Sequence, residues 1–463
     1  MVEGAPLDLS RPRSIHVIGI GGAGMSAIAA VLADMGHHVT GSDQRPSPAL
    51  DRLRARGVHA TVGHAPGNVG DADVVAVSTA IPGDNSELLA ARRLAIPVLT
   101  RAEMLAAVSA TRRSVAVAGT HGKTTTSAML ALILTQAGKH PSFIIGGDVQ
   151  QVGGGAAWDR GELFVVEADE SDGTFLQLPR FASMVTNVEP DHLEYYGSFE
   201  ALVAGFRRFM AETPGPVVAC GDDPVSAALA EEAGAVTYGR RAVDTYRIAA
   251  LSTGRAGSRY HLSRRREDLG PVELPVSGAH NALNSAGAVA MAMELGADFP
   301  SCRRALAGFA GVARRFEFRG VAEEVSFIDD YAHLPTEVEV ALATARGGGW
   351  GRVVCVFQPH RYSRTLSLHT DFADSFLDAD VLAVTDVYSA GEPPRRGVSG
   401  RLIVDSVLER HPWRRVAYVP KQSDVLTYLV SELRPGDLCL TLGAGDLTAI
   451  PDEVKQALDR GPE

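Results

Sequence analysis

Residues 118–126 read Ala118-Gly119-Thr120-His121-Gly122-Lys123-Thr124-Thr125-Thr126 and are the strongest indication of the fold. An apolar run at 114–117 precedes it and a helical pattern at 127–134 follows it. A strand, a glycine-rich turn with Gly-Lys-Thr and a helix form a cradle for a triphosphate, because backbone N–H groups and the lysine face the anion and a threonine hydroxyl can ligate Mg²⁺. The match to the P-loop pattern is incomplete, since Val117 stands where that pattern has glycine. An incidental glycine-rich turn is the alternative interpretation.

Length and composition favour a multidomain enzyme. The chain has 463 residues, a formal net charge of −11 and four cysteines without a C-x-x-C pair, so we expect about three domains and neither a disulfide framework nor a zinc site. The negative charge argues against nucleic acid as the main partner. Without a signal-like N-terminus or an apolar run of about 18 residues, we expect a cytoplasmic protein with no membrane insertion.

Short apolar runs alternate with helical patterns along the chain, which predicts an α/β fold with mainly parallel sheets and functional residues at the carboxyl ends of strands. Three blocks are predicted, at 1–107, 108–313 and 314–463. The clearest strand-like runs lie at 15–20, 74–78, 115–118, 163–167, 185–188, 217–220, 325–329, 353–357, 381–384 and 438–442.

A second glycine-rich turn opens the first block. Gly19, Gly21 and Gly24 satisfy G-x-G-x-x-G between a strand and a helix, and Asp43 follows at the distance expected for a ribose contact. Alone, this pattern indicates NAD(H), but it would equally cradle the diphosphate of a UDP-sugar. Because the chain has a separate triphosphate loop, a UDP-sugar is favoured. An ordinary turn role for Asp43 is the alternative.

Acidic and amide side chains in the middle block suggest metal and base contacts. Glu167 directly follows the run 163–166 and is the preferred Mg²⁺ ligand. A solvated acidic loop is the alternative, plausible for Glu170 and Asp172 and less so for Glu167. His192, after the next strand, is a candidate for a second metal or the γ-phosphate; a turn role is its alternative.

Asn281 and Asn284 are three residues apart in a helical pattern, so one helix face could present both amides to adenine. A helix-cap role is the alternative, mainly for Asn281.

Polar clusters follow three strands of the third block. Arg361 and Arg364 could hold a small carboxylate in a bidentate manner, with Tyr331 and His333 flanking it. Arg314 precedes them and could reach a transferring phosphate.

Together these motifs resemble the Mur ligases, the ATP-dependent amino-acid ligases of peptidoglycan synthesis, over nearly the whole chain. Gln-Pro-His-Arg-Tyr-Ser-Arg-Thr at 358–365 is most similar to the alanine-adding branch. The resemblance implies a Rossmann-like N-terminal domain, a P-loop ATPase-like central domain and a Rossmann-like C-terminal domain. The matching segments are 19–25, 119–126, 167–172, 187–192, 280–284, 314–316, 329–335 and 358–365.

The resemblance also implies roles for individual residues. UDP-sugar binding falls to Gly19, Gly21, Gly22, Gly24, Met25 and Asp43. ATP binding falls to Gly119, Thr120, Gly122, Lys123, Thr124, Thr125, Asn281, Asn284, Arg314 and Asp329. Magnesium ligation falls to Thr124, Glu167 and His192. L-Alanine binding falls to Tyr331, His333, Arg361 and Arg364. The residues implied in catalysis are Lys123, His192 and Arg314. One departure is Leu334, since the family usually has a second histidine there.

The implied reaction is the ATP-dependent ligation of L-alanine to the lactyl carboxylate of UDP-N-acetylmuramate through an acyl phosphate. Its products are UDP-N-acetylmuramoyl-L-alanine, ADP and phosphate. The alternatives are a recycling ligase that attaches a whole tripeptide to the same sugar, and an NAD-dependent dehydrogenase or nucleotide-regulated binding protein. A monomer or a weak homodimer is expected.

Overall fold

A computed structural model describes residues 6–460. It contains three sheets of five, ten and six strands in chain order. By contact density the described chain forms two compact units, one of residues 6–250, 260–273 and 283–309, the other of residues 251–259, 274–282 and 310–460. Among the described residues, no helix combines the length and apolarity needed to cross a bilayer.

The first sheet has the strand order β3-β2-β1-β4-β5 and is parallel throughout. Its central strands β1 and β4 are buried along most of their length, as is usual for parallel strands covered by helices. The strands are β1 (Ser14–Ile18), β2 (His38–Asp43), β3 (His59–Val62), β4 (Val74–Val77) and β5 (Val98–Thr100). The helices are α1 (Ala23–Asp34), α2 (Pro48–Ala55), α3 (Ser86–Arg93) and α4 (Arg101–Ser109).

The second sheet has the order β15-β14-β13-β12-β11-β10-β6-β9-β7-β8. Its strands are β6 (Arg113–Ala118), β7 (Ser142–Ile144), β8 (Ala156–Ala157), β9 (Leu163–Glu167), β10 (Ala182–Val185), β11 (Val217–Cys220), β12 (Val236–Gly239), β13 (Tyr246–Gly254), β14 (Gly257–Arg264) and β15 (Glu267–Leu274). Its helices are α5 (Lys123–Gln136), α6 (Leu193–Tyr196), α7 (Phe199–Ala211), α8 (Pro224–Ala233), α9 (Ala279–Glu294) and α10 (Phe299–Ala307).

The third sheet has the order β16-β17-β21-β18-β19-β20, with β16 antiparallel to β17 and the other pairs parallel. Its strands are β16 (Glu317–Ala322), β17 (Val325–Asp330), β18 (Val353–Phe357), β19 (Val381–Val384), β20 (Val416–Tyr418) and β21 (Leu438–Leu442). Its helices are α11 (Pro335–Gly347), α12 (Tyr362–Leu368), α13 (Arg401–Arg410), α14 (Gln422–Glu432) and α15 (Ile450–Arg460).

Two parts of the second sheet differ from the sequence prediction. The strand expected at 185–188 ends at Val185, because the residues after it bond to the triphosphate-type loop instead of a neighbouring strand. The strands β13 to β15 were not predicted. Arg265 and Arg266 connect β14 to β15 with φ of +48° and +75°, conformations that usually signal glycine or asparagine.

Candidate active site

The loop between β6 and α5 requires glycine at two positions. Gly119 has φ +131° and Gly122 has φ +82°. A Cβ at Gly119 would collide with the Thr186 hydroxyl, and one at Gly122 would lie 2.7 Å from Asn284 Oδ1. Both glycines are therefore demanded by the backbone and by close neighbours. The loop leads directly into α5, whose first backbone N–H groups are suited to an anion.

Asn187, just after β10, holds this loop in place. Its Oδ1 accepts a hydrogen bond from His121 N at 2.8 Å, and its Nδ2 donates to His121 O at 3.1 Å. Its carbonyl also accepts from Thr120 N at 3.0 Å. Thr186 Oγ1 donates to His121 O at 2.6 Å. The loop is therefore fixed by the end of the neighbouring strand before any ligand binds.

Lys123, the first residue of α5, pairs with a buried carboxylate. Its Nζ lies 2.9 Å from both oxygens of Glu170 and 2.6 Å from Gly119 O. Burial disfavours the ammonium, but the charge and hydrogen bond of Glu170, together with the charges of Asp169 and Glu167, outweigh burial and raise the pKa of Lys123. Glu170 is 1% exposed, so the alternative of a solvated loop does not hold for this residue, which is buried against the lysine.

Thr124 and Glu167 offer hard oxygen ligands beside Lys123. Thr124 Oγ1 donates to Glu167 Oε2 at 3.2 Å, and Gly146 N donates to Glu167 Oε1 at 2.6 Å. No group of three or more His, Cys, Asp or Glu side chains within residues 6–460 could hold a metal ion. A carboxylate and a hydroxyl beside a phosphate cradle fit Mg²⁺, which takes its remaining ligands from phosphate and water.

His192 lies before α6 with φ +55°. Its Nε2 is 3.3 Å from Asp191 Oδ2 and its Nδ1 is 3.9 Å from Glu194 Oε1. These local ion pairs are compatible with the turn interpretation. The metal role of His192 stays a prediction.

In the first domain, Asp43 organises the loop between β1 and α1. Its Oδ2 accepts from Gly21 N at 2.8 Å, and its Oδ1 accepts from Arg45 N at 3.3 Å. Gly19 has φ +80°, and Gly22 caps α1 without a side chain. Met25 is 2% exposed, so its predicted substrate contact is confined to its backbone N–H in the first turn of α1.

Arg314 is held in an unusual conformation in the third domain. It has φ +60°, its Nη2 donates to Gly443 O at 2.7 Å, and its guanidinium carbon lies 4.9 Å from the centre of the Tyr331 ring. Asp329 Oδ2 is 3.5 Å from Arg314 Nε. Because Thr441 and Thr448 hydroxyls each donate to Asp329 at 2.6 Å, this buried carboxylate positions the arginine.

Three of the four residues predicted to bind L-alanine form a connected group that includes His360. The His333 ring contacts both Tyr331 and His360, with centroid distances of 5.5 and 5.6 Å. Arg364 Nη1 lies 3.2 Å from His360 Nδ1. Burial, followed by His333 and Arg364, lowers the pKa of His360 to about 4. Arg361 has φ +69° and bonds through its N–H to Tyr388 O at 2.8 Å.

Asn281 is the third residue of α9, and its Nδ2 donates to Ser277 O at 2.7 Å. This contact holds the Asn281 side chain against the segment that precedes the helix. The Asn284 carboxamide lies against Gly122 in the triphosphate-type loop. Contact with adenine stays a prediction for both.

Three consecutive family models match the chain. They are the Mur ligase family catalytic domain at 14–113, the Mur ligase middle domain at 117–292 and the Mur ligase glutamate ligase domain at 314–445. The chain belongs to the Mur ligase family. The predicted family and its three-domain α/β fold are thereby confirmed. The domain limits at 107 and 313 stay predictions.

Individual Mur ligases match over nearly full length. The chain is 46% identical over 458 residues to a UDP-N-acetylmuramate–L-alanine ligase of Pelotomaculum thermopropionicum, covering 97% of this chain and 98% of the relative. It is 47% identical over 469 residues to a ligase of the same name from Kineococcus radiotolerans, covering 98% of each. The solved UDP-N-acetylmuramate–alanine ligase of Thermotoga maritima matches with a TM-score of 0.82 and 30% identity, covering 97% of this chain and 100% of that one. A murein peptide ligase of Psychrobacter arcticus, at 22% identity and a TM-score of 0.72, shares the fold over 97% of this chain and 100% of its own.

Two positioning residues of this Mur ligase were missed from sequence. Glu170 and Asn187 lie in the loops that follow β9 and β10, the two strands that flank β6, and that placement was the available signal. Their partners, Lys123 and His121, lie more than 40 residues away in the chain, so no local pattern joins them.

Proposed function

We propose that this Mur ligase joins L-alanine to the lactyl carboxylate of UDP-N-acetylmuramate, consuming ATP and releasing ADP and phosphate. The observation that carries the proposal is the 46–47% identity, over nearly the whole chain, to ligases named for this reaction. The pairing of Lys123 with Glu170 beside Thr124 and Glu167 supplies a matching phosphate site.

Phosphoryl transfer is the first chemical step. A free carboxylate is a poor acyl donor, so one lactyl oxygen attacks the γ-phosphorus and ADP leaves, giving an acyl phosphate. The charged Lys123 and the backbone N–H groups of 119–124 stabilise negative charge on the transferring group. Thr124 and Glu167, with His192 as a candidate for a second site, would hold Mg²⁺, which when bound neutralises phosphate oxygens.

Amide formation is the second step. The ammonium group of L-alanine first loses a proton to water, and the resulting neutral amine attacks the acyl carbon. The tetrahedral intermediate expels phosphate, which takes up the proton released from the nitrogen. Arg364, with Tyr331 and His333, is proposed to hold the alanine carboxylate and so position the amine. Arg314 is proposed to contribute a further cation toward phosphate, since Asp329 and two glycine carbonyls fix its guanidinium.

A cytoplasmic location is proposed, since ATP and UDP-sugars are the proposed substrates. A monomer or a weak homodimer is also proposed. The tripeptide-adding alternative is disfavoured, because the closely similar relatives are alanine ligases and the murein peptide ligase shares only the fold.

The test is phosphate release from ATP with Mg²⁺ and UDP-N-acetylmuramate, comparing L-alanine, L-Ala-γ-D-Glu-meso-diaminopimelate and no acceptor. Release that needs both the UDP-sugar and L-alanine is expected. Release with the tripeptide alone would assign the recycling reaction, and no release under any condition would contradict a ligase.

A further inference from the structure

An arginine lies across the first glycine-rich loop. Arg101 is the first residue of α4, at the carboxyl end of β5. Its backbone is fixed by a capping box: Thr100 Oγ1 accepts from Glu103 N at 3.2 Å, and Glu103 Oε2 accepts from Thr100 N at 2.7 Å. The starting point of the Arg101 side chain is therefore well defined.

The guanidinium covers Gly24. A Cβ at Gly24 would lie 2.6 Å from Arg101 Nε and 3.2 Å from Cζ. Gly24 lies within α1 and has no left-handed φ, so its backbone conformation does not require glycine. The guanidinium therefore lies directly against the backbone of the first turn of α1.

The helix that carries Arg101 also contacts the segment beside Lys123. Helix α4 packs against α1, which follows the loop at 19–24, and against the turn at Thr174–Gln177. That turn follows Glu170, the partner of Lys123. Arg101 therefore begins a helix that lies between α1 and the segment supporting the loop at 119–124.

The side chain of Arg101 is exposed. Within residues 6–460 its guanidinium forms no hydrogen bond and no ion pair within 4.0 Å. It lies at the N-terminus of α4 and beside that of α1, where a cation is disfavoured by roughly 0.3–1 kcal/mol. A bound anion would remove this penalty.

We infer that Arg101 binds the lactyl carboxylate of the UDP-sugar, the group that receives the phosphoryl group; this inference rests on the proposed function. The diphosphate uses the backbone N–H groups of the first loop, and the reacting carboxylate must approach the second. Arg101 is the cation placed between them, and a guanidinium binds a carboxylate through two parallel hydrogen bonds. Arg101 thus selects a sugar that carries the carboxylate and orients it.

The experiment is calorimetric binding of two ligands without ATP. UDP-N-acetylmuramate carries the lactyl carboxylate, whereas UDP-N-acetylglucosamine has the same diphosphate and lacks it. Arg101→Gln is expected to weaken binding of the first about 10- to 100-fold, the usual size of a charged hydrogen-bond loss, and to leave the second within about twofold. Arg101→Lys, which keeps the charge, should fall between.

Arg93→Gln is the matched control because it removes the same charge elsewhere in the domain. Arg93 ends α3, just before β5 begins, so it belongs to the amino ends of the strands, whereas Arg101 follows the carboxyl end of β5. Its affinities should not change. Equal weakening for both sugars would assign Arg101 to the diphosphate, and no weakening would exclude a binding role; either result overturns the inference. If the unmodified protein bound neither sugar, the proposed function itself would fail.

Discussion

The two glycine-rich loops, 19–24 and 119–124, share a strand–turn–helix plan but differ in how they handle charge. The second carries its own cation, Lys123, which is held by buried Glu170. The first contains no lysine or arginine; Asp43 fastens its backbone and Arg101 covers it from another helix. A loop with an internal lysine, beside the Thr124 hydroxyl and the Glu167 carboxylate, is suited to phosphoryl transfer, whereas the other is suited to holding a diphosphate that does not react.

Both loops are also supported by a buried glutamate, with different partners. Glu170 is bonded to the cation that faces the ligand. Glu87 accepts from Ser42 Oγ at 2.5 Å and Asn68 Nδ2 at 2.5 Å, and the Ser42 carbonyl accepts from Gly19 N at 2.8 Å. Glu170 therefore supports the phosphate site of the second loop, whereas Glu87 stabilises the fold of the first domain.

The largest expected effect is that of Lys123→Met. Loss of the ammonium should lower kcat/KM by about 10³-fold, as for other removed transition-state donors, while UDP-N-acetylmuramate still binds the first loop. Phosphate release and calorimetry would measure the two properties. Lys139→Met, which changes a lysine beyond the end of the same helix, is the control.

Because Lys123→Met leaves Glu170 buried without its cation, it should also cost about 3–5 kcal/mol of stability. The double variant with Glu170→Gln should recover part of that stability without recovering activity. Activity close to that of the unmodified enzyme in either variant would contradict the assignment of the second loop.

A smaller effect is expected for Asn187→Ala. The variant loses two side-chain hydrogen bonds to His121, so the second loop becomes less ordered, and KM for ATP should rise about 10-fold. The affinity for UDP-N-acetylmuramate should not change. Initial rates at varied ATP would measure the effect, and an equal loss of affinity for both substrates would argue against a specific role in that loop.

The smallest effect on activity is expected for Glu87→Gln, which acts on stability. Burial opposes the charge of Glu87, but hydrogen bonds from His16, Ser42 and Asn68 lower its pKa to about 2. Its stabilisation is therefore fully present above the unfolded pKa near 4.5 and is lost as the pH falls toward 2.

At pH 7 the free energy of unfolding should be about 3 kcal/mol lower for Glu87→Gln than for the unmodified protein. This follows from the fall of the Glu87 pKa from 4.5 to about 2, since one pKa unit corresponds to 1.36 kcal/mol. Urea unfolding at pH 7 and at successively lower pH below about 4.5 would show the difference shrinking. A difference that stays constant with pH would contradict the charged state of Glu87.

The sequence alone predicted both loops because each depends on a local pattern: glycines at fixed spacing between a strand and a helix. It also assigned Thr124 and Glu167 to one Mg²⁺ ion, and the structure places the two side chains in contact, with Thr124 Oγ1 3.2 Å from Glu167 Oε2. Glu167 was found because it ends β9, the parallel neighbour of β6. The roles of Glu170, Asn187 and Arg101 depend on residues distant in the chain. The β13–β15 strands were missed because the Arg265-Arg266 turn carries no glycine signal.

The central claim is that the first loop binds the UDP-sugar and the second binds ATP. Calorimetric titration of Gly21→Ala and Gly122→Ala with each ligand tests it directly. In Gly21→Ala, a Cβ would lie 2.8 Å from Asp43 Oδ2, and in Gly122→Ala, 2.7 Å from Asn284 Oδ1. Gly67→Ala, where a Cβ meets nothing within 4 Å, is the control. We predict that Gly21→Ala weakens only UDP-N-acetylmuramate and Gly122→Ala weakens only ATP. The claim would be contradicted if Gly21→Ala lost ATP binding and kept its affinity for UDP-N-acetylmuramate. It would also be contradicted if Gly122→Ala lost UDP-N-acetylmuramate binding and kept its affinity for ATP.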